Sequence, residues 1–354
     1  MSVVDDSARP MASGIRGSAR PAATEMDHGF VGLPMPASKD LVLDPAMRPH
    51  VRQVQGPRFP FPIPNGWFIV ARADEVGVGD VRPLSYFGRD LVVFRTESGD
   101  AHVVDAYCAH LGANFAMGGK VDGEGLRCPF HGWCFDGTSG KCTEIPYAET
   151  EKVPSQAKVR AFPTLERNRY IWAWHHLTEG GPFYDVPVVA EFDDPEWSEP
   201  VYREYRIATC CQEMAENNHD FAHFKYVHGT ADIPWGDATI EGGYKRVATA
   251  DGTFVRETFG LGLGVLRSAG LFAFLSSTTP IDEENVHVRW TFTTPVTAGP
   301  KATAQIADSF LTGVSQDIPI WENKSYNPRP VLTKQEKGIL DHREWCKQFY
   351  SELA

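Results

Sequence analysis

Residues 216–228 read Glu216-Asn217-Asn218-His219-Asp220-Phe221-Ala222-His223-Phe224-Lys225-Tyr226-Val227-His228 and place a carboxylate, Asp220, and two imidazoles, His223 and His228, in one short run. Two neutral imidazoles and a carboxylate, with coordination positions left open, are the ligand set by which non-haem Fe(II) activates O2. The run resembles one face of a helix, yet its spacing resists a straight one. Asp220 and His223 are three apart and share a face, whereas five steps of ~100° leave His223 and His228 about 140° apart. Aiming both at one ion requires a distorted turn, a π-bulge or a helix end between them, with Gly229 as the stop. The competing reading of this stretch alone is a pair of surface histidines on an ordinary helix. The metal reading asks for another carboxylate elsewhere and a source of electrons.

The chain has 354 residues, 42% hydrophobic and 12% aromatic, a globular composition with room for two domains. A net charge of -12 without any run of Lys or Arg sets nucleic acid aside as a partner. No stretch approaches the roughly 18–20 uninterrupted apolar residues of a membrane span, and the N-terminus lacks the apolar core of a secretory signal, so the expectation is a soluble, cytoplasmic protein. The seven cysteines, Cys108, Cys128, Cys134, Cys142, Cys210, Cys211 and Cys346, are an odd count that speaks against a disulfide framework and for metal ligation by some of them.

Residues 1–50 are rich in Ala, Ser, Pro, Met and Arg without periodicity and read as a flexible tail. A Pro-rich stretch, 57–64, leads into Asn65-Gly66-Trp67 and a small all-β domain, placed at 51–178. Its short Val-, Ile-, Phe- and Tyr-rich runs include 67–71, 90–95, 102–106 and 169–174, with a hairpin turn at Ser98-Gly99-Asp100. Within it stand Cys108-Ala109-His110, then seventeen residues, then Cys128-Pro129-Phe130-His131. Two cysteines on one iron and two histidines on the other are the ligands of a Rieske [2Fe-2S] cluster. A Cys2His2 zinc site is the competing reading, but zinc ribbons use C-x-x-C pairs. Cys134 and Cys142 fall outside the pattern and read as structural.

After a linker at 178–182 a second domain, 179–354, follows. Strands are expected at 202–210, 254–265, 271–279 and 286–293. The last alternates, with Val286, Val288, Trp290 and Phe292 on one face and His287, Arg289, Thr291 and Thr293 on the other, as in a half-buried antiparallel sheet. Gly260, Gly262 and Gly264 share one side of the 254–265 run and suggest curvature rather than ligand space. In a helix over 305–324, Ile306, Phe310, Val314, Asp317 and Trp321 follow steps of four, four, three and four, which puts Asp317 on the buried stripe, where a carboxylate needs a partner such as a metal. Pro319 is expected to bend that helix. His175, His176, His219, His287 and His342 read as packing or surface residues, and Glu213, Glu216 and Asn217 lie near enough to support the ligands.

C-x-H-x17-C-x2-H in a small β domain, followed about ninety residues later by D-x2-H-x4-H, resembles the oxygenase component of the Rieske non-haem iron oxygenases over nearly the whole chain after Gly66. Ala113 and Phe130 stand where respiratory Rieske proteins have two further cysteines, which fits the ferredoxin-like type near the low end of roughly -150 to +300 mV. Gln316-Asp317-Ile318-Pro319-Ile320-Trp321-Glu322-Asn323-Lys324, with 343–350, resembles the branch of ketosteroid 9α-hydroxylases and cholesterol 7-desaturases.

The resemblance implies an α+β protein in which the Rieske domain precedes a helix-grip (START-like) catalytic domain with a curved antiparallel sheet. It implies Cys108, His110, Cys128 and His131 on the [2Fe-2S] cluster and His223, His228 and Asp317 on a mononuclear Fe(II). Asp220 would relay electrons from a cluster histidine of a neighbouring subunit in a homotrimer, as a carboxylate behind a metal-bound imidazole. Electrons would come from NAD(P)H through a ferredoxin or flavin reductase. Phe224, Tyr226, Phe272, Phe274, Trp290 and Phe292 suggest a large apolar pocket, short of charge, for a steroid or sterol that is hydroxylated or desaturated with O2. A Rieske electron carrier and a lipid-binding module are the other classes; iron beyond that of the cluster excludes the first, and substrate-dependent oxygen uptake excludes the second.

Overall fold

The computed structural model describes residues 57–351 except 149–151, 251, 253, 254 and 269. The expected tail, 1–50, and the first residue of the 254–265 run lie outside the described residues. Among the described residues no helix is long and apolar enough to cross a membrane.

Three small antiparallel sheets build the first part. Arg89–Arg95 is central to one of them, with Leu91 to Phe94 buried on both faces. It pairs with Val81–Tyr86 through a two-residue turn at Phe87-Gly88, where φ values of 60° and 66° match a hairpin whose twist suits its strands. Gly99, at φ 101°, lies in the expected turn before Ala101–Asp105. Val81–Tyr86 escapes a sequence reading because Pro83 cannot donate to a ladder; the strand lies at the sheet edge, where proline is tolerated. A second sheet joins Gly66–Arg72, Tyr170–His175 and Thr164–Arg167. The third runs Lys120–Asp122, Gly125–Arg127, Cys134–Asp136, Cys142–Glu144, and Cys134 and Cys142 are buried in it.

The second part is one seven-stranded antiparallel sheet, ordered Val201–Ile207, Val286–Thr293, Phe272–Pro280, Leu263–Ser268, Val255–Phe259, Tyr244–Thr249, Gly236–Glu241. Among the described residues four α-helices complete it: α1 (Cys211–Glu216), α2 (Ala222–Tyr226), α3 (Ala302–Asn323) and α4 (Lys337–Cys346). α3 lies across Val201–Ile207 and Val286–Thr293. Phe310 of α3 meets Phe272, Phe274 and Phe292 at ring separations of 5.6, 5.1 and 5.4 Å, and such aromatic pairs add ~0.5–1.5 kcal/mol each to burial of their area. The helix continues through Pro319 to Asn323.

Two expectations are corrected. The polar face of Val286–Thr293 does not meet solvent: His287, Arg289, Thr291 and Thr293 are all buried. That face is the seam to the first part. His287 Nδ1 lies 2.8 Å from Tyr86 Oη, Arg289 donates to Tyr86 Oη at 2.8 Å and to the Ile69 carbonyl at 3.0 Å, and Thr291 Oγ1 lies 2.7 Å from Tyr170 Oη. Glu204 completes the network. Burial would raise its carboxyl, but Arg289 and His287 outweigh that and hold it well below the usual range. His287, Arg289, Thr291 and Glu204 are stable there because each is paired.

The 254–265 run, expected as one curved strand, is two strands joined by a turn at Gly260-Leu261-Gly262. Gly260 has φ 60°, and a Cβ on it would lie 2.0 Å from Tyr184 Oη. The apolar residues around the glycines masked the turn, in which Gly260 admits the half-buried Tyr184 and Gly262 the Phe68 ring.

Candidate metal centres

Two loops of one shape carry the Cys-His pairs. The Cys108 and Cys128 amides donate to the carbonyls five residues on, Ala113 at 2.9 Å and Trp133 at 2.8 Å, and their carbonyls accept from the amides of Gly112 and Gly132 at 3.0 and 3.2 Å. Both glycines are left-handed, at φ 73° and 74°, a conformation that glycine adopts freely. Sequence reading missed this shared device, although a glycine four residues after each cysteine signals it.

The loops bring the four predicted residues together. The His110 and His131 rings lie 4.7 Å apart at 71°, and His110 stacks on Trp133 at 4.4 Å. Cys108 and Cys128 are buried side by side, and burial, with Cys128 adding to it, pushes the Cys108 thiol up to about 11. His110 Nδ1 is buried without a hydrogen-bond partner, which on its own costs ~1–3 kcal/mol. Two adjacent thiols and an orphaned imidazole nitrogen fit an iron–sulfur cluster, which takes thiolates and neutral imidazoles.

The second centre is built where α1 ends. The chain turns through 217–221, forms the single turn of α2 carrying His223, and leaves it at Val227, so His228 stands beyond the helix end, followed by Gly229 at φ 73°. Of the distorted turn, π-bulge or helix end that the 140° offset allowed, the chain uses the helix end. Asp317 comes from α3, buried as its stripe position demanded. The ligand atoms of His223, His228 and Asp317 lie within 4.8 Å of one another, and this is the one such group of three found among the described residues. His228 Nε2 is 3.4 Å from Asp317 Oδ2.

The surroundings fix both tautomers. His228 Nδ1 donates to Gln316 Oε1 at 2.9 Å, and His223 Nδ1 donates to the Asp220 carbonyl, so each Nε2 keeps its lone pair. Asn217 stands beside the centre, with Nδ2 at 3.4 Å from His223 Nε2. Burial raises the Asp317 carboxyl above its ordinary value, against the pull of His228 and His223. A divalent cation between two imidazole lone pairs and a buried carboxylate relieves that cost, so the residues fit iron. Gln316→Leu is expected to lower the affinity for iron at this centre by ~10–100-fold while the cluster spectrum stays unchanged; iron titration of the variant checks it.

Asp220 holds His223 through its backbone carbonyl, and its carboxylate accepts the His223 amide at 3.3 Å. Glu213 and Glu216 do not touch the ligands: Glu213 pairs with Lys324 at 2.5 Å, and Glu216 takes a two-pronged bond from Arg343 at 2.6 and 2.8 Å, tying α1 to the end of α3 and to α4. His219 stacks on His342, whose Nδ1 lies 2.6 Å from Lys245 Nζ. The expected pocket lining divides. Phe224 and Tyr226 are exposed on α2, while Phe272, Phe274, Trp290 and Phe292 face α3 around Phe310.

Comparison with known proteins bears on both halves. Residues 66–163 match the model of the Rieske [2Fe-2S] domain, and residues 173–350 match that of the 3-ketosteroid 9alpha-hydroxylase C-terminal domain. Cholesterol 7-desaturase nvd of Hemicentrotus pulcherrimus is 32% identical over 331 residues, covering 82% of this chain and 70% of the relative. The oxygenase component of 3-ketosteroid-9-alpha-monooxygenase from Rhodococcus rhodochrous is 27% identical, covering 87% and 89%. The solved structure of Pseudomonas putida CBB5 NdmA shares the fold, with a TM-score of 0.66 at 21% identity over 79% of this chain and 88% of that one. An antiparallel catalytic sheet gripping one long helix behind a cluster-bearing β domain, together with these matches, makes the chain an oxidoreductase that belongs to the Rieske non-haem iron oxygenases, in the branch of 3-ketosteroid 9α-hydroxylases and cholesterol 7-desaturases.

Proposed function

We propose that the protein is a terminal oxygenase that hydroxylates or desaturates a steroid or sterol. The carrying observation is the match of the catalytic half to a steroid hydroxylase domain over 173–350. Apolar Leu266, Phe272, Phe274 and Phe292, packed against Ala307 and Phe310 of α3, support it, since a bulky ring system gains most from an aromatic-lined site. When bound, the cluster supplies electrons singly and the mononuclear iron supplies O2 activation and attack on a C–H bond. Cys108 and Cys128 hold one cluster iron and His110 and His131 the other. His223, His228 and Asp317 hold the catalytic iron, with Gln316 and the Asp220 carbonyl keeping the Nδ1 protons away from it.

In this reading electrons would come from NAD(P)H through a ferredoxin or flavin reductase, the division of labour falls at 178/179, and the protein works in the cytoplasm as a homotrimer in which the Asp220 carboxylate would bridge the catalytic centre to the next subunit's cluster domain as the electron relay. Oxygen uptake with a surrogate NADH-dependent reductase, across ketosteroids, sterols and simple aromatic acids, tests it. Turnover is expected with a steroid or sterol; turnover of the acids without any steroid overturns the substrate assignment.

A further inference from the structure

Residues directly opposite in an antiparallel ladder share a face, and the register shows what else shares the α3-facing side of the sheet. Trp290 pairs with Ser276, Ser276 with Gly264, Gly264 with Thr258 and Thr258 with Lys245; Phe292 pairs with Phe274, Phe274 with Leu266, Leu266 with Arg256. The face that carries the aromatic residues under α3 therefore also carries three cations, Arg203, Lys245 and Arg256. This departs from the expectation of a site short of charge.

The three cations differ, and Arg203 is paired with Asp308 of α3 at 2.8 Å. Lys245 is satisfied: its Nζ meets His342 Nδ1 at 2.6 Å and lies 4.1 Å above the Trp345 ring. Arg256 has no carboxylate partner among the described residues. Its side chain crosses Gly264, where a Cβ would come within 2.4 Å of Nη2, and gives one hydrogen bond, to Ser276 Oγ at 2.5 Å. Its Nε is buried and unpartnered, as are Thr258 Oγ1 two residues along the same face and Nε2 of His219, the residue before Asp220. His219 lies close enough to feel the Arg256 charge. A guanidinium with no carboxylate and an orphaned Nε, near the orphaned Thr258 Oγ1 and His219 Nε2 and two strand spacings or roughly 10 Å from Phe274, is poor fold-holding and good ligand-holding chemistry.

We infer that Arg256 anchors an anionic oxygen of the substrate, so that the site takes an apolar ring system ending in a carboxylate. The Nε–H and an Nη–H form the two-pronged donor that matches a carboxylate, Thr258 offers a hydroxyl beside it, and the aromatic end of the face takes the rings. Gly264 is the residue that lets the guanidinium lie flat on the sheet. The inference rests on the proposed apolar ring substrate.

The test is equilibrium binding of a steroid carboxylic acid and its methyl ester to the full chain. The wild type is expected to bind the acid ~10–100-fold more tightly than the ester. Arg256→Leu brings the acid to the level of the ester and leaves the ester unchanged, and Arg256→Lys keeps part of the preference. Because the unliganded fold leaves this charge uncompensated, the thermal midpoint of Arg256→Leu without ligand stays level or rises. Equal binding of acid and ester by the wild type overturns the inference, and so does a lowered midpoint with both ligands weakened alike, which marks Arg256 as structural. Arg256-dependent binding of a small aromatic acid, with no steroid bound, upholds the anchor and overturns the ring-system reading alone.

Discussion

His223→Ala combined with His228→Ala is expected to remove the mononuclear iron and all turnover while leaving the Rieske absorbance intact. The two imidazoles are two of the three donors gathered within 4.8 Å, and Asp317 alone cannot hold a divalent ion against water. The fold does not depend on them, because α2 buries none of its residues and His228 lies beyond its end. Loss of the rings leaves Gln316 Oε1 and the Asp220 carbonyl without a donor, but both sit where water can replace it. The cluster loops close on their own backbone hydrogen bonds next to a different sheet, so their spectrum reports independently. Iron and sulfide content, the visible spectrum and oxygen uptake measured on one preparation decide it. Iron content equal to that of the wild type would show that these histidines are not the ligands.

What the sequence revealed follows from how locally each feature is encoded. The Cys-His pairs are fixed by spacing within two short loops, and the loops close through Gly112 and Gly132 with no help from distant residues. Asp317 was legible because a period of 3.6 residues identifies the buried stripe of a long helix. The angle between His223 and His228 called for a distorted turn, a π-bulge or a helix end, and of these the chain uses the last, with α2 stopping at Tyr226.

Features set by register across the sheet or between the two parts were illegible. Alternation in Val286–Thr293 separates two faces but cannot tell solvent from a polar seam, and His287 and Arg289 meet partners some two hundred residues away. Arg256 looks like any strand cation until its pairing with Leu266 puts it on the face under α3. The bond from His228 to Gln316 spans 88 positions and arises only when α3 docks.

Asp220→Asn is expected to keep both metals and to slow oxidation of the reduced cluster, in the presence of substrate and O2, by ~100-fold. The substitution is narrow by construction. The contact that fixes the His223 tautomer belongs to the Asp220 backbone carbonyl, which asparagine retains, and the asparagine side-chain oxygen can still accept the His223 amide now bonded at 3.3 Å. Ligand geometry and the start of α2 are thereby preserved, and only the negative charge is lost. That charge is half-buried at the turn between α1 and α2, and its second oxygen has no hydrogen-bond partner among the described residues. In the proposed trimer this free oxygen is the acceptor for the neighbouring subunit's imidazole, and an amide presents a weaker acceptor there. Single-turnover kinetics of the reduced protein, followed at the cluster absorbance with iron content measured alongside, provide the check. Cluster oxidation at the wild-type rate would reduce Asp220 to the residue that starts α2.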